Sequence, residues 1–293
     1  MLYYIFLCLS IFTPLPLHAI SMVYNFRIAQ ITKQPFHERP RLQKHTLILL
    51  PFEQYQQKYN TLVQNFGGGL GSFIYNYKAY YGRIDGAVSH VHQQGNHTPS
   101  FSDIQTDDIL CTIGRNFEIN TRNTLTVSGL FGLPTHSVLR LKHADFGYGQ
   151  VGTGIQLDGS HTLQRHNALL WGTRYIYFIP RNTIDTLGQA YNFTIGNVAD
   201  LLVAYKQDWN KHGLECGYTA RMQFGAFIAP HVPDIVTETN YIRNSFYTVY
   251  KYRFFIRNTQ NRLLFNIAYG FENSNPTHNK HIVTVWGSWS INF

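Results

Sequence analysis

Read back from residue 293, apolar and polar side chains alternate with period two. Phe293, Ile291, Trp289, Val285 and Val283 share one face, and Asn292, Ser290, Ser288 and Thr284 share the other, with Trp286 and Gly287 as exceptions. The segment before it repeats the pattern: Leu263, Phe265, Ile267, Tyr269 and Phe271 oppose Asn266, Ala268, Gly270 and Glu272. From Leu214 to Ile228 the chain stays in phase, with Cys216, Tyr218, Ala220, Met222, Phe224 and Ala226 against Glu215, Gly217, Thr219, Arg221, Gln223 and Gly225. Residues 242–257 place Phe246, Tyr250, Tyr252, Phe254 and Ile256 opposite Lys251, Arg253 and Arg257. Successive strand side chains point to opposite faces, so these segments predict β-strands with one apolar and one polar side. Weaker strands are predicted at 72–93, 108–119, 123–133, 148–158, 167–178 and 192–207.

These ten segments carry apolar side chains outward and polar or small ones inward, the requirement for crossing a bilayer as a closed antiparallel barrel. The connections at 120–122, 159–165, 208–212 and 258–261 are short and most others longer. This is the asymmetry between periplasmic turns and extracellular loops, with the last strand ending at the periplasm. The expected fold is therefore all-β: a transmembrane up-and-down barrel of about ten strands. The phase slips near Gly82-Arg83, where a bulge would restore it and a turn would raise the count to about twelve. Arg115 falls on the apolar face of its strand.

Residues 20–66 do not alternate. Phe52, Tyr55, Tyr59, Val63 and Phe66 lie three or four apart and predict a short helix. Gly67, Gly68, Gly69 and Gly71 then read as a flexible junction. The expected organisation is a signal peptide over 1–19, an N-terminal periplasmic or plug-like extension over 20–71, and the barrel over 72–293. The first nineteen residues are uncharged and apolar from Leu2 to Phe12, and Leu17-His18-Ala19 offers a cleavage site after Ala19. This apolar run is too short for a bilayer-spanning helix.

Composition sharpens the picture. Aromatic residues make up 15% of the chain and charged residues only 14%, which suits a lipid-bathed wall with aromatic girdles. Net charge is +8, and residues 20–60 hold six Lys or Arg against two Glu. Cys111 and Cys216 both fall on apolar strand faces and are expected as free thiols facing lipid.

The C-terminal pattern of Phe293, preceded by Ile291 and Trp289, resembles the assembly signal of Gram-negative bacterial outer-membrane β-barrel proteins. The resemblance implies an outer-membrane location, with membrane lipid and the barrel-assembly machinery as partners. It points to no subfamily.

Chemical motifs are few. Gly147-Tyr148-Gly149-Gln150-Val151-Gly152 fits a dinucleotide-binding turn in spacing, but it continues as an alternating strand and opens no helix. His90, His92 and His97, with Asp103, Asp107 and Asp108, offer metal-ligand chemistry only as loop groups. His136-Ser137, the nearest hydrolase-like pair, would point to opposite faces of a strand. No catalytic motif, cofactor or nucleic-acid partner is expected. The polar face is more informative: Lys78, Asp200, Lys206, Glu215, Arg221, Lys251, Arg253 and Arg257 are the candidate lumen-lining residues, cations outnumbering acids. Such a lining predicts a narrow channel or solute-binding barrel favouring anionic small solutes. Mutual pairing of these charges would instead give a closed structural or adhesive barrel acting through its surface loops, and a rim-site hydrolase is a third possibility.

Overall fold

The computed structural model describes residues 45–58, 62–95, 101–106, 109–134, 151–164, 166–184, 190–193, 196–224, 241–256, 259–275 and 278–292. These form β1 (His45–Lys58), β2 (Leu62–Tyr77), β3 (Tyr80–Gly95), β4 (Phe101–Thr106), β5 (Ile109–Glu118), β6 (Asn123–Leu133), β7 (Gly152–Gln164) and β8 (Asn167–Phe178). They continue as β9 (Arg181–Ile184), β10 (Ala190–Phe193), β11 (Asn197–Trp209), β12 (His212–Phe224), β13 (Tyr241–Ile256), β14 (Thr259–Asn275) and β15 (His278–Asn292).

Thirteen strands form one antiparallel sheet in the order β2-β1-β15-β14-β13-β12-β11-β8-β7-β6-β5-β3-β4, and β2 also pairs with β3. Every main-sheet strand except the short β4 therefore has a neighbour on both sides, and the pairings run round as a ring of twelve. The seam is β1 against β15, from Thr46 opposite Asn292 to Gln57 opposite His281. Strand β4 continues the lane of β5 by pairing with the far half of β3. The separate β9–β10 hairpin lies in the connection between β8 and β11.

Four expectations are corrected. The segment 72–93 is two strands, reversed at Lys78-Ala79 rather than bulged at Gly82, which raises the count to eleven, and β1 supplies the twelfth. The sheet begins inside the segment read as an extension: 45–58 is strand, not part of a helix, because Leu47 to Phe52 is apolar on both faces and hides any period of two. The glycines at 67–71 lie within β2, pairing with β1 and β3 rather than joining separate parts. The predicted connection at 159–165 is also mostly strand, since β7 runs to Gln164. The signal peptide, the stretch up to 44, Arg257 and Phe293 lie outside the described residues.

Burial alternates as the sequence pattern requires. On β8, Trp171, Thr173, Tyr175 and Tyr177 are exposed while Gly172, Arg174, Ile176 and Phe178 are buried. Ile113 is 73% exposed and Ile267 61% exposed, each in a strand interior. Exposed apolar side chains cover the outer face of nearly every lane, the reverse of a soluble protein and the requirement for contact with hydrocarbon. Aromatic groups gather toward the ends of this belt, as in Trp209 stacked on His212, His212 against Tyr252, and Tyr252 on Phe254 at one end. Tyr175 lies against Phe224 toward the other. The two described cysteines are free, with Cys216 exposed and Cys111 half-buried.

The turns after β2, β5, β7, β11 and β13 occupy one end, and the connections after β3, β6, β8 and β12 the other. The first group runs to four residues at most and the second reaches eighteen, the asymmetry expected between the periplasmic turns and outer loops of a membrane barrel. His45 and Asn292, the outer limits of the ring, lie at this same end.

Candidate functional site

The buried charged side chains all occupy the inward phase of their strands. They number seven cations (Arg83, Arg174, Arg221, Arg243, Lys251, Arg253, Arg262) and five acids (Asp85, Asp158, Asp200, Asp208, Glu215) among the described residues. A charge enclosed by a barrel needs water or a partner, and the inner wall answers with two layers built on one strand.

Asp200 and Asp208 both project inward from β11, eight positions apart, roughly 26 Å along a strand at about 3.3 Å per residue. Asp200 lies toward the loop end. It sits in register between Arg174 of β8 and Arg221 of β12. Arg174 donates from Nε at 2.9 Å and from Nη2 at 2.5 Å to Oδ2. Arg221 donates from Nε at 2.8 Å to Oδ1 and from Nη2 at 3.1 Å to Oδ2. One carboxylate thus takes four charge-assisted bonds from two planar guanidiniums, the geometry that makes such bonds strongest. Arg174 is 1% exposed. Arg243 stands opposite Arg221 in register, and Asp200, Thr219, Arg221, Arg243 and Ser245 line a small cleft in this layer.

Asp208 lies toward the turn end. Lys206 Nζ reaches it at 2.7 Å, Lys251 Nζ at 2.6 Å and Arg253 Nη2 at 3.8 Å. Arg262, opposite Arg253 in register, is buried beside them. One acid therefore serves three cations with a fourth alongside. Lys251 crosses β12 to make its bond, and Gly213 is the residue it crosses: a Cβ there would lie 2.4 Å from Asp208 Oδ1 and 2.8 Å from Lys251 Cε. Gly213→Ala is expected to displace that lysine arm and lower stability by about 1–3 kcal/mol, read from urea unfolding of the vesicle-inserted barrel. An unchanged midpoint would show that the arm moves aside without cost.

Further ion pairs and hydrogen bonds complete the lining. Tyr247 donates to Glu215 Oε1 at 2.8 Å, Gln156 Nε2 donates to Asp158 at 2.8 Å, and Arg83 Nε donates to Asp85 at 2.7 Å. Tyr81 spans the adjacent strand to share a 2.7 Å hydrogen bond with Ser128, lying over Gly114.

Of the residues singled out by sequence, Asp200, Lys206, Glu215, Arg221, Lys251 and Arg253 lie on this inner face. Asp200 and Arg221 meet in the loop-end layer, and Lys206, Lys251 and Arg253 in the turn-end layer. Lys78 does not line the lumen: it sits exposed in the β2–β3 turn at φ 53°, because the chain reverses there. Arg83, Asp85, Asp158, Arg174, Asp208, Arg243 and Arg262 were not predicted. Each occupies the polar phase of its strand, which is the signal that would have found them once strand limits were known. Of the histidine–aspartate grouping, His97, Asp107 and Asp108 lie outside the described residues.

No protein family and no curated protein matches this chain in sequence. In structure it is similar to an outer membrane channel from Pseudomonas putida F1, with 10% identity, a TM-score of 0.67, and coverage of 88% of this chain and 98% of that one. The translocator domain of the autotransporter NalP from Neisseria meningitidis overlays 92% of this chain and 95% of its own at 10% identity, with a TM-score of 0.49. At such identity the first likeness is one of fold, and the fold is that of the bacterial outer-membrane β-barrels. A wall with this apolar belt turned outward resides in that membrane.

Proposed function

We propose that this chain is a narrow outer-membrane passage for small anionic solutes, acting without covalent chemistry. One observation carries the reading: the turn-end layer sets Lys206, Lys251 and Arg253 round Asp208 and buries Arg262 beside them, with Glu215 opposite Lys206 in register, so its cations outnumber its acids. Cations fixed in an enclosed, weakly solvated space leave a surplus positive field, which attracts an anion and opposes a cation. The fold-level likeness is to a protein described as an outer membrane channel, which fits a passage. Residues 1–19 act in this reading as the export signal, and Trp289, Ile291 and Phe293 as the mark recognised by the assembly machinery.

Planar-bilayer recording of the refolded barrel under a salt gradient tests it. Small, stable, anion-selective steps are expected, and Arg253→Glu should shift the reversal potential toward cation preference while the barrel keeps its folded mobility on a gel. Insertion with no conductance would remove the passage and favour a closed barrel acting through its long extracellular connections. That second reading draws on the near-complete burial of Arg174 and Arg221, which make a pore open at that layer unnecessary.

A further inference from the structure

The two ends of the barrel differ in charge in a way that the lumen does not explain. The five short turns are 78–79, 119–122, 165–166, 210–211 and 257–258. Each contains one Lys or Arg in sequence and none contains Asp or Glu. At the opposite end, the connecting residues 59–61, 96–100, 107–108, 134–151, 179–196, 225–240 and 276–277 hold three Lys or Arg against six Asp or Glu. The described turn cations Lys78, Arg122 and Lys211 therefore stand exposed at the periplasmic rim.

A second observation places cations on the outside of that rim at headgroup depth. Arg115, three residues before the end of β5, points outward on the lipid-facing phase and is exposed. It is held between two rings, 5.2 Å from the centroid of Tyr80 and 4.8 Å from that of Phe117. Tyr80 is its register partner on β3. Lys78, in the turn next to it, lies 5.4 Å over Tyr77. Aromatic rings hold a cation by their negative faces, and aromatic side chains of a barrel mark the boundary of hydrocarbon and headgroup. A guanidinium fixed in that boundary on a wall otherwise turned to lipid calls for an anion in the same plane. The phosphodiester of a phospholipid supplies one.

We propose that this rim is a binding surface for anionic phospholipid headgroups of the periplasmic leaflet, with Lys78, Arg115, Arg122 and Lys211 as its cations. The proposal rests on the bilayer location and is independent of conduction. Each cation near an anionic bilayer surface strengthens association by on the order of fivefold, and less as salt rises.

The test is native mass spectrometry of the full, detergent-solubilised barrel, scoring retained phosphatidylglycerol against phosphatidylcholine of matched acyl chains. Preferential retention of phosphatidylglycerol is expected, reduced at least tenfold in the quadruple variant Lys78→Gln/Arg115→Gln/Arg122→Gln/Lys211→Gln. Folding of the variant is checked by gel mobility. If it fails to fold, single Arg115→Gln and Arg122→Gln variants should each lower the preference severalfold. Equal retention of the two lipids by the unaltered chain overturns the proposal. So does a folded quadruple variant that keeps its preference.

Discussion

Asp200→Asn is expected to lower the unfolding free energy by about 3–5 kcal/mol, the usual result of removing one member of a buried charged network. The reason is Arg174 and Arg221, both almost fully enclosed, which lose the carboxylate they share. An asparagine of the same shape offers one neutral oxygen in place of four charge-assisted contacts. Urea titration of the barrel in lipid vesicles, followed by its folded gel mobility, gives the number directly. A change below about 0.5 kcal/mol, the level of an ordinary surface substitution, would show that the guanidiniums find water or other partners at no cost. Replacing all three groups together by Leu and Met should recover much of the loss, since it leaves no charge behind.

Ile267→Lys tests the other face. Ile267 is the middle residue of β14, 61% exposed, and the belt places it near the centre of the bilayer. A lysine at that depth is expected to cost about 2–4 kcal/mol and to slow or abolish insertion into vesicles. Its neighbour Asn266 is buried on the inner side. Asn266→Lys would bring the same charge into an interior that already holds cations, so the two variants should differ in kind: the first fails at insertion, while the second inserts and alters ion preference. Equal insertion of Ile267→Lys and the unaltered chain would mean that this wall does not face lipid.

What the sequence made legible follows the physics of each face. A strand with lipid on one side and polar groups on the other must alternate, and β5, β6, β8, β13 and β15 could be placed to within a few residues for that reason. Strand β1 could not, since an unbroken apolar run carries no phase and its Pro51 argues against a strand interior. Glycines contribute no side chain to a pattern, and this hid the first half of β2. The reversal at Lys78-Ala79 lacks the Asn-Gly or Gly signal of tight hairpins and puts a lysine at positive φ, an uncommon state for that residue. By contrast, the turn at Asn210-Lys211 has asparagine at φ 54°, a residue that tolerates it.

The candidate site divides in the same manner. Which side chains point inward is a matter of parity, so Asp200, Glu215, Arg221, Lys251 and Arg253 were readable one strand at a time. Which of them meet is a matter of register between strands. Arg174 and Arg221 flank Asp200 only because β8 and β12 pair β11 at the alignment that sets all three in a row. Nothing in any single strand records that alignment.

The seam of the ring has a kinetic meaning. Most pairs of neighbours in the barrel are hairpins or near-hairpins, closed over short stretches of chain, but Thr46 and Asn292 come together across nearly the whole described sequence. Closure entropy for that loop must be met in one late event, after the other strands are in place. Until then β1 and β15 present unpaired backbone edges, open to pairing with any other extended chain. The rate at which these two strands find each other should therefore govern the balance between insertion and aggregation, and substitutions along the seam should alter yield more than final stability.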